Sequence, residues 1–499
     1  MRPIDRRQFL SESAFLAACA AAAGPFESRL GAAEQARAAK AGPANERLRV
    51  AVIGVNGRGR DHVGGFAGRH NCVVTTICDA DPAVIGRAMK AAERAQKKGK
   101  GVTPRFEQDL RKVVADKDID IVSIATPNHW HALAAVWALQ NGKHVYVEKP
   151  VSHNVSEGRR IVQAAQAAGK VCFAGTQSRS MKGMREAIAF LHEGGLGKVK
   201  LAKGFCYKLR PSIGKTKGPQ PTPSTVDYDL WCGPAAKLPL TRKRLHYDWH
   251  WVWNTGNGDL GNQGIHEVDK ARWGLNKGEL PYCVRSVGGR LGYVDDGETP
   301  NTQVTHFDYG DSELVFEVRG WPSDSPFPGK ASPQTGPKPG NFVGNVWYGE
   351  KGFLVCPSYS GGVAYTHDGE IIKRFGGGGD HYGNFVAAVR SGKKDDQRSI
   401  LDGHLSSALC HLANISLRLG GLEALDKTNK PFQSKAADEA LAGMAAHLDQ
   451  NPIHSEGLKV HVGRKLTIDR KAEAFVGDKQ ADAMLTREYR AGFVVPDKV

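Results

Sequence analysis

Nothing in these 499 residues is apolar for long enough to cross a bilayer. The small-residue apolar run from Ala14 to Ala23 is about half of the ~20 residues that a spanning helix needs, which excludes an integral membrane span. The nine cysteines contain no CxxC pair, so the usual redox and zinc-ribbon spacings are missing. Cys72, Cys78 and Cys172 sit in apolar, strand-like runs where a thiol serves as a small buried hydrophobe, and a disulfide framework is not implied. No internal period and no heptads occur, which excludes a solenoid or a coiled coil. Acidic residues are the scarcer charge, 52 against 68 basic, for a net +16. The excess is spread along the chain without a nucleic-acid motif, so it reads as a solvated basic surface and no nucleic-acid partner is expected.

What is present begins with Arg6-Arg7-Gln8-Phe9-Leu10, which resembles a twin-arginine export motif ahead of a short apolar run. This predicts a periplasmic or exported protein. Leu16-Ala17-Ala18-Cys19 also resembles a lipoprotein box, which would lipidate Cys19. Residues 1–45 therefore read as signal and linker.

From Leu48 short apolar runs alternate with helical stretches. Strands are expected at Leu48–Ile53, Val73–Cys78, Ile119–Ala125, His144–Val147 and Val171–Ala174. Helices are expected at Gly59–Arg69, Ala83–Ala95, His129–Gln140 and Ser156–Ala168. Continuous apolar strands between helices predict a parallel sheet covered on both faces. Residues 46–176 thus form an α/β domain of Rossmann type. Beyond Gln177 the strands lengthen and alternate, as in Lys198–Tyr207 and Thr302–Arg319, and Gly/Pro-rich loops such as Pro211–Thr225 appear. Residues 177–425 are expected to form an α+β domain with an open, mainly antiparallel sheet, and 426–499 an extension packed on it.

The first strand runs into Gly54-Val55-Asn56-Gly57-Arg58-Gly59 and a helix. Strand, Gly-rich turn and helix in that order present free N–H groups to a pyrophosphate. Asn56 occupies the second glycine position of the usual fingerprint. Asn tolerates a left-handed backbone, and Gly57 beside it would supply the close approach. Asp79 ends the second strand about 20 residues further on, where an acidic group binds ribose hydroxyls and repels a 2′-phosphate. NAD is therefore expected, with NADP as the alternative because Arg58 and Arg60 lie nearby.

Two motifs follow at C-terminal strand ends, where open α/β sheets bind ligands: Thr126-Pro127-Asn128-His129-Trp130-His131 and Glu148-Lys149-Pro150. With these motifs the chain resembles the Gfo/Idh/MocA oxidoreductases, sugar and polyol dehydrogenases, from about Leu48 to Gly420. The resemblance implies a Rossmann domain followed by an α/β domain, a homo-oligomer built through the open sheet, and Lys149 as the catalytic lysine. Thr126, Asn128, His131 and Glu148 would line the cofactor site. It also covers Asp259 to Asp269, where the family has Asp and, four residues later, His. Here His266 is present, but Asn262 stands in the Asp position. Asn can orient a hydroxyl but cannot accept a proton; Asp259 or Asp269 would have to compensate, and Asp259 is expected to contact the substrate.

The expected chemistry is hydride transfer between a secondary hydroxyl of a sugar or polyol and the nicotinamide. His266, with an ordinary pKa near neutrality, is the expected base. Lys149 would stabilise charge on the same oxygen, and Asn262 would hold the substrate. The stretch His246-Tyr247-Asp248-Trp249-His250-Trp251 offers flat rings to a sugar face, with Trp251 taken as the contact. Its histidines match no ligand spacing, so no metal is expected. Two alternatives stand beside the dehydrogenase: an enzyme that retains NAD and acts on glycosides through a transient keto-sugar, and a non-catalytic NAD- or sugar-binding protein.

Overall fold

The computed structural model describes residues 47–96, 102–328, 340–392, 399–426, 428–453 and 455–499. The twin-arginine segment and Cys19 lie outside the described residues.

The N-terminal half alternates as the apolar pattern dictates: β1 (Leu48–Ile53), α1 (Gly59–Phe66), β2 (Cys72–Cys78), α2 (Gly86–Gln96), β3 (Arg105–Glu107), α3 (Leu110–Ala115), β4 (Ile121–Ile124), α4 (Asn128–Gln140), β5 (His144–Val147), α5 (Val155–Ala168) and β6 (Cys172–Ala174). All six strands are parallel, in the order β3-β2-β1-β4-β5-β6. This is the doubly wound order whose reversal between β1 and β4 opens a ligand crevice. Except for the short edge strand β3, the strands are largely buried on both faces, so their side chains need not alternate. β3 and α3 escaped the sequence reading because three residues and one and a half turns carry too little periodicity to register.

The second half contributes α6 (Lys182–His192), β7 (Val199–Tyr207), α7 (Ile265–Gly274), β8 (Cys283–Gly289), β9 (Thr302–Asp308), β10 (Glu313–Arg319), β11 (Phe342–Gly349), β12 (Gly352–Cys356), β13 (Gly362–Tyr365), β14 (Ile371–Phe375), α8 (His381–Ser391), α9 (Ile400–Arg418), β15 (Gly421–Ala424), α10 (Lys435–Asp449), β16 (Lys459–Val462), β17 (Leu466–Asp469) and β18 (Ala474–Phe475). The expected single strand from Thr302 to Arg319 is a hairpin: the chain reverses at Gly310, where φ is +80°, and β9 pairs antiparallel with β10. The sheet runs β14-β13-β12-β11-β7-β10-β9-β8-β16-β15. Its pairs are antiparallel except β7 with β10.

The main core lies between this sheet and α6, α7 and α9, with Met184, Ile188, Val268, Leu409, Phe307, Phe316 and Trp347 buried together. Each such side chain contributes about 1.5–3 kcal/mol by leaving water. α7 is fixed tightly. Trp347 Nε1 donates to the Ala271 carbonyl at 3.3 Å, and Arg179 donates to Asp269 at 2.8–3.0 Å, which also accepts from Ser406 at 2.7 Å.

The two halves are not sequential beads. α8 returns to cover the Rossmann sheet through Phe385 and Val386, beside Phe66 and Tyr146. The C-terminal extension also divides. α10 packs on Val287, Val304 and Val315 of β8, β9 and β10, as expected of an element docked on the second domain. The last residues instead cross back: Phe493 and Val495 join the Rossmann core, Phe493 meets Trp130 edge-on at 5.6 Å, and Arg490 pairs with Asp229. An aromatic and a valine in a polar tail have nowhere on the tail itself to be buried, so they take the apolar gap beside α3 and α4.

Candidate active site

A cleft of about 620 Å³ opens at the C-terminal ends of β1, β2, β4 and β5, and the second domain closes its far wall. At its floor the Gly-rich turn is dictated by close approach. Gly54 sits at φ +82°, and a Cβ there would lie 2.7 Å from the Ala125 carbonyl. A Cβ on Gly59 would fall 1.9 Å from the Gly54 oxygen. Gly57 differs, because a Cβ there meets nothing within 4 Å and the residue lines the cleft. Its missing side chain leaves room for a ligand rather than for the protein.

Asp79, at the end of β2, accepts from the backbone N–H of Val55 at 2.8 Å and of Asp81 at 3.1 Å. It therefore folds the glycine turn as well as facing the cleft. Burial pushes its carboxyl up, and the two N–H groups only partly offset that. Thr126 also lines the cleft, and its hydroxyl is buried without a protein partner. An open cradle, an acidic strand end and an orphaned hydroxyl suit a dinucleotide. Gly54, Asn56, Gly57, Arg58, Asp79, Thr126, Asn128, His131, Glu148 and Lys149 all line the one cavity.

Several of these residues act on the protein as much as on a ligand. His131 bridges two loops, with Nδ1 2.6 Å from the Pro150 carbonyl and Nε2 2.8 Å from that of Thr126. Both ring nitrogens are thus engaged, and its part in the cofactor site is to tie the TPN loop to the EKP loop. Glu148 is a buried hub. Its carboxylate accepts from His62 at 3.1 Å, Arg58 at 3.2 Å, Gln177 at 3.2 Å and its neighbour's N–H at 3.2 Å. Burial opposes ionisation there, but His62, Arg58 and Lys149 outweigh it and hold the group well below the ordinary carboxylate range.

Lys149 Nζ donates to the Asn262 carbonyl at 2.7 Å. Burial lowers its pKa, and Glu148 works the other way. Asn262 belongs to a π-helical turn, Leu260–Gly264, that runs into α7. Such turns re-aim side chains at functional sites, and here Asn262 and His266 both reach the cleft. His266 is buried with Nδ1 unpartnered, and the Tyr359 ring stands perpendicular to it at 5.0 Å.

The expectation that His266 titrates near neutrality is corrected. Burial first, and the Lys149 charge second, hold its pKa well below the ordinary value, so the free imidazole is neutral and weakly basic. Asp259 is also corrected as a substrate contact: it does not line the cleft and is held by Arg210 through bonds of 2.7 and 2.8 Å. Asp269 is likewise committed to Arg179. Neither replaces the missing carboxylate at position 262; Asn262 Nδ2 lies 3.5 Å from Asp259 Oδ1.

Trp251 is the third correction. The 3₁₀ turn Trp249–Trp251 puts Trp249 and His250 on the cleft wall and turns Trp251 behind it, under the Arg210 guanidinium at 5.3 Å. The sequence reading found the aromatic stretch but not which rings face inward, because a three-residue turn has no period to read. It missed Tyr359, Gln177 and Met181, which also line the cleft and stand in no motif. Opposite the glycine turn, His246 Nε2 meets Asp81 at 2.7 Å, a polar clasp between the two halves. Among the described residues no group of three or more His, Cys, Asp or Glu could hold a metal, and no helix is long and apolar enough to cross a membrane.

Known proteins share this architecture. A curated Glycosyl hydrolase family 109 protein of Saccharopolyspora erythraea is 29% identical over 295 residues, 57% of this chain and 58% of its own length. An Alpha-N-acetylgalactosaminidase of Shewanella oneidensis is 35% identical over 130 residues, 26% of this chain and 28% of its own. The chain thus spans little more than half of the first of these relatives and about a quarter of the second. The solved WlbA dehydrogenase from Bordetella pertussis, in complex with NADH and UDP-GlcNAcA, superposes with a TM-score of 0.52 at 20% identity, covering 73% of this chain and 94% of that one. A levoglucosan dehydrogenase solved with NADH and levoglucosan gives 0.51 at 20%, covering 73% and 98%; these two show the fold. The model described as "Oxidoreductase family, NAD-binding Rossmann fold" matches residues 48–176, and "Oxidoreductase family, C-terminal alpha/beta domain" matches 191–287. The two models, in that order, are those of the Gfo/Idh/MocA oxidoreductases, so residues 48–176 and 191–287 are similar to the two domains of that family.

Proposed function

We propose that the chain is an exported enzyme that oxidises a secondary hydroxyl of a sugar or polyol, with NAD held in the Rossmann cleft. The convergence of Lys149, His266 and Asn262 on the cavity that holds the dinucleotide cradle carries this reading. Bound NAD supplies the hydride acceptor at its nicotinamide ring. Loss of hydride makes the substrate O–H strongly acidic, so the weakly basic imidazole of His266 suffices to take its proton. The Lys149 ammonium, released from the Asn262 carbonyl, stabilises the same oxygen. Asn262 orients the hydroxyl, and Trp249 and His250 offer ring faces to the sugar.

A second reading is favoured by the names of the curated relatives: the hydride is returned within one turnover, and a glycosidic bond is cleaved meanwhile. Incubation with free sugars and with aryl glycosides at substoichiometric NAD separates the two. Accumulating NADH with free sugars supports the dehydrogenase. Aryl release without net NADH supports the redox-neutral glycosidase. Neither product, with no dinucleotide released on denaturation, supports a non-catalytic binding protein. Export rests on Arg6-Arg7 and the run to Ala23. Residues 1–45 fused to a reporter should carry it across the inner membrane, and Arg6→Lys with Arg7→Lys should retain it inside.

A further inference from the structure

A second cavity, of about 290 Å³, lies between the start of α5, the loop 253–257, α9 and the C-terminal tail. It is separate from the cofactor cleft, and Asn257 forms the partition. Asn257 Oδ1 accepts from Asn128 on the cleft side at 2.9 Å, and its Nδ2 donates to the His153 carbonyl at 3.0 Å. We propose that this cavity binds a small oxyanion that also carries hydroxyl groups, a hydroxycarboxylate or a phosphorylated polyol.

Charge and unmet hydrogen bonding carry the inference together. Two guanidinium groups, Arg418 and Arg487, line the cavity, and no carboxylate does among the described residues. Arg487 donates only to neutral acceptors, the Asn254 carbonyl at 3.0 Å, its side-chain oxygen at 2.6 Å and His153 Nδ1 at 3.4 Å, and its Nε is buried without a partner. Arg418 stacks on the Trp253 ring at 4.9 Å. Glu157, the acid whose charge acts on Arg487, is occupied by the His153 N–H at 2.8 Å and the Tyr489 hydroxyl at 3.2 Å. Arg487 is half-buried and Arg418 exposed; Glu157 and Glu298 act on them from outside the cavity, so within the lining itself the positive charge is unmatched and favours an anion.

The remaining wall suits a hydroxyl. Asn414 is buried, its Nδ2 is fixed on the Asn257 carbonyl at 3.0 Å, and its Oδ1 is left unpartnered. An acceptor that points at a bare anion would repel it, whereas a ligand hydroxyl satisfies it. His411 and His153, whose pKa values burial lowers, add no charge to the wall. Their ring nitrogens already meet Ser152 and Asn257, and Trp253 and Arg487, respectively. The N-cap of the 14-residue α5, Asn154, also lines the cavity, so the positive end of that helix faces it.

The test is calorimetric titration of gluconate, glycerol 3-phosphate and inorganic phosphate into NAD-saturated protein, whose cofactor site is then filled. One hydroxylated anion should bind with a Kd below about 1 mM, and which one does so identifies the acid group. Arg418→Gln, an exposed position whose fold is checked by its urea midpoint, should weaken that binding about 10- to 100-fold by removing a charge-assisted bond. Asn414→Asp should abolish it. The proposal is overturned if neither hydroxylated anion binds, if Arg418→Gln leaves binding unchanged, or if inorganic phosphate binds as tightly as both.

Discussion

Acidification should begin to destabilise this protein above the pH at which ordinary carboxylates titrate. His129 and His411 are 1% and 3% exposed, and burial holds each near a pKa of about 3. In the unfolded chain both imidazoles return to about 6.5. At pH 7 they are neutral in the native state and mostly neutral in the unfolded one, so they change stability little. As pH falls through 6.5 the unfolded chain takes up protons that the native one refuses, so stability is lost with falling pH. For a folded pKa near 3 the loss is about 1.4 kcal/mol per histidine at pH 5.5 and about 2.7 at pH 4.5. The pair alone removes roughly 5 kcal/mol by pH 4.5, comparable with the whole stability of many proteins. His266, His153 and His404 are lowered in the same direction, burial first. Glu148 adds its loss only below the ordinary carboxylate range. Urea unfolding at half-unit pH steps from 7.5 to 4.5 measures this. The slope between pH 6 and 5 should correspond to at least two protons, and His411→Asn should reduce it by about one. A flat profile over that interval would refute the reasoning.

Three further substitutions separate chemistry from folding. Lys149→Met removes an ammonium whose protein hydrogen bond is the Asn262 carbonyl; turnover should fall about 10²–10³-fold while NAD stays bound and the urea midpoint barely moves, and lost cofactor would move Lys149 out of the catalytic role. Asp79→Ala strands the Val55 and Asp81 N–H groups, so stability should drop by about 2–4 kcal/mol and NAD affinity should fall more than NADP affinity; an unchanged preference would place the ribose contact elsewhere. Phe493→Ala empties the site beside Trp130 and should cost about 3–5 kcal/mol, read by urea unfolding; a neutral result would mean that the tail does not dock there.

The Rossmann half was legible because its signals are local. β1 and β5 begin and end where the apolar runs do, and the two loop motifs follow β4 and β5 directly. The second half resisted for the opposite reason. A hairpin whose turn holds Gly310 looks like one long strand until pairing is known, and the return of Phe493 to α4 is a contact over hundreds of residues with no local trace. Tyr359 reaches the cleft from a loop between β12 and β13 for the same reason.

The exchange at position 262 shows what a motif can and cannot convey. Read as sequence, Asn262 looks like a lost carboxylate and a weakened catalyst. In the fold its backbone matters as much as its side chain, because the carbonyl accepts a hydrogen bond from Lys149 Nζ at 2.7 Å. Burial depresses Lys149, and its bond is to a backbone carbonyl that any residue at 262 would present and that a substrate oxygen can displace. Its charge also acts on His266, which stays unprotonated. On the proposed reading, Lys149 and His266 face the cleft as one cation and one neutral acceptor, the pair that hydride removal from an alcohol would use, with Asn262 supplying the carbonyl that parks the cation.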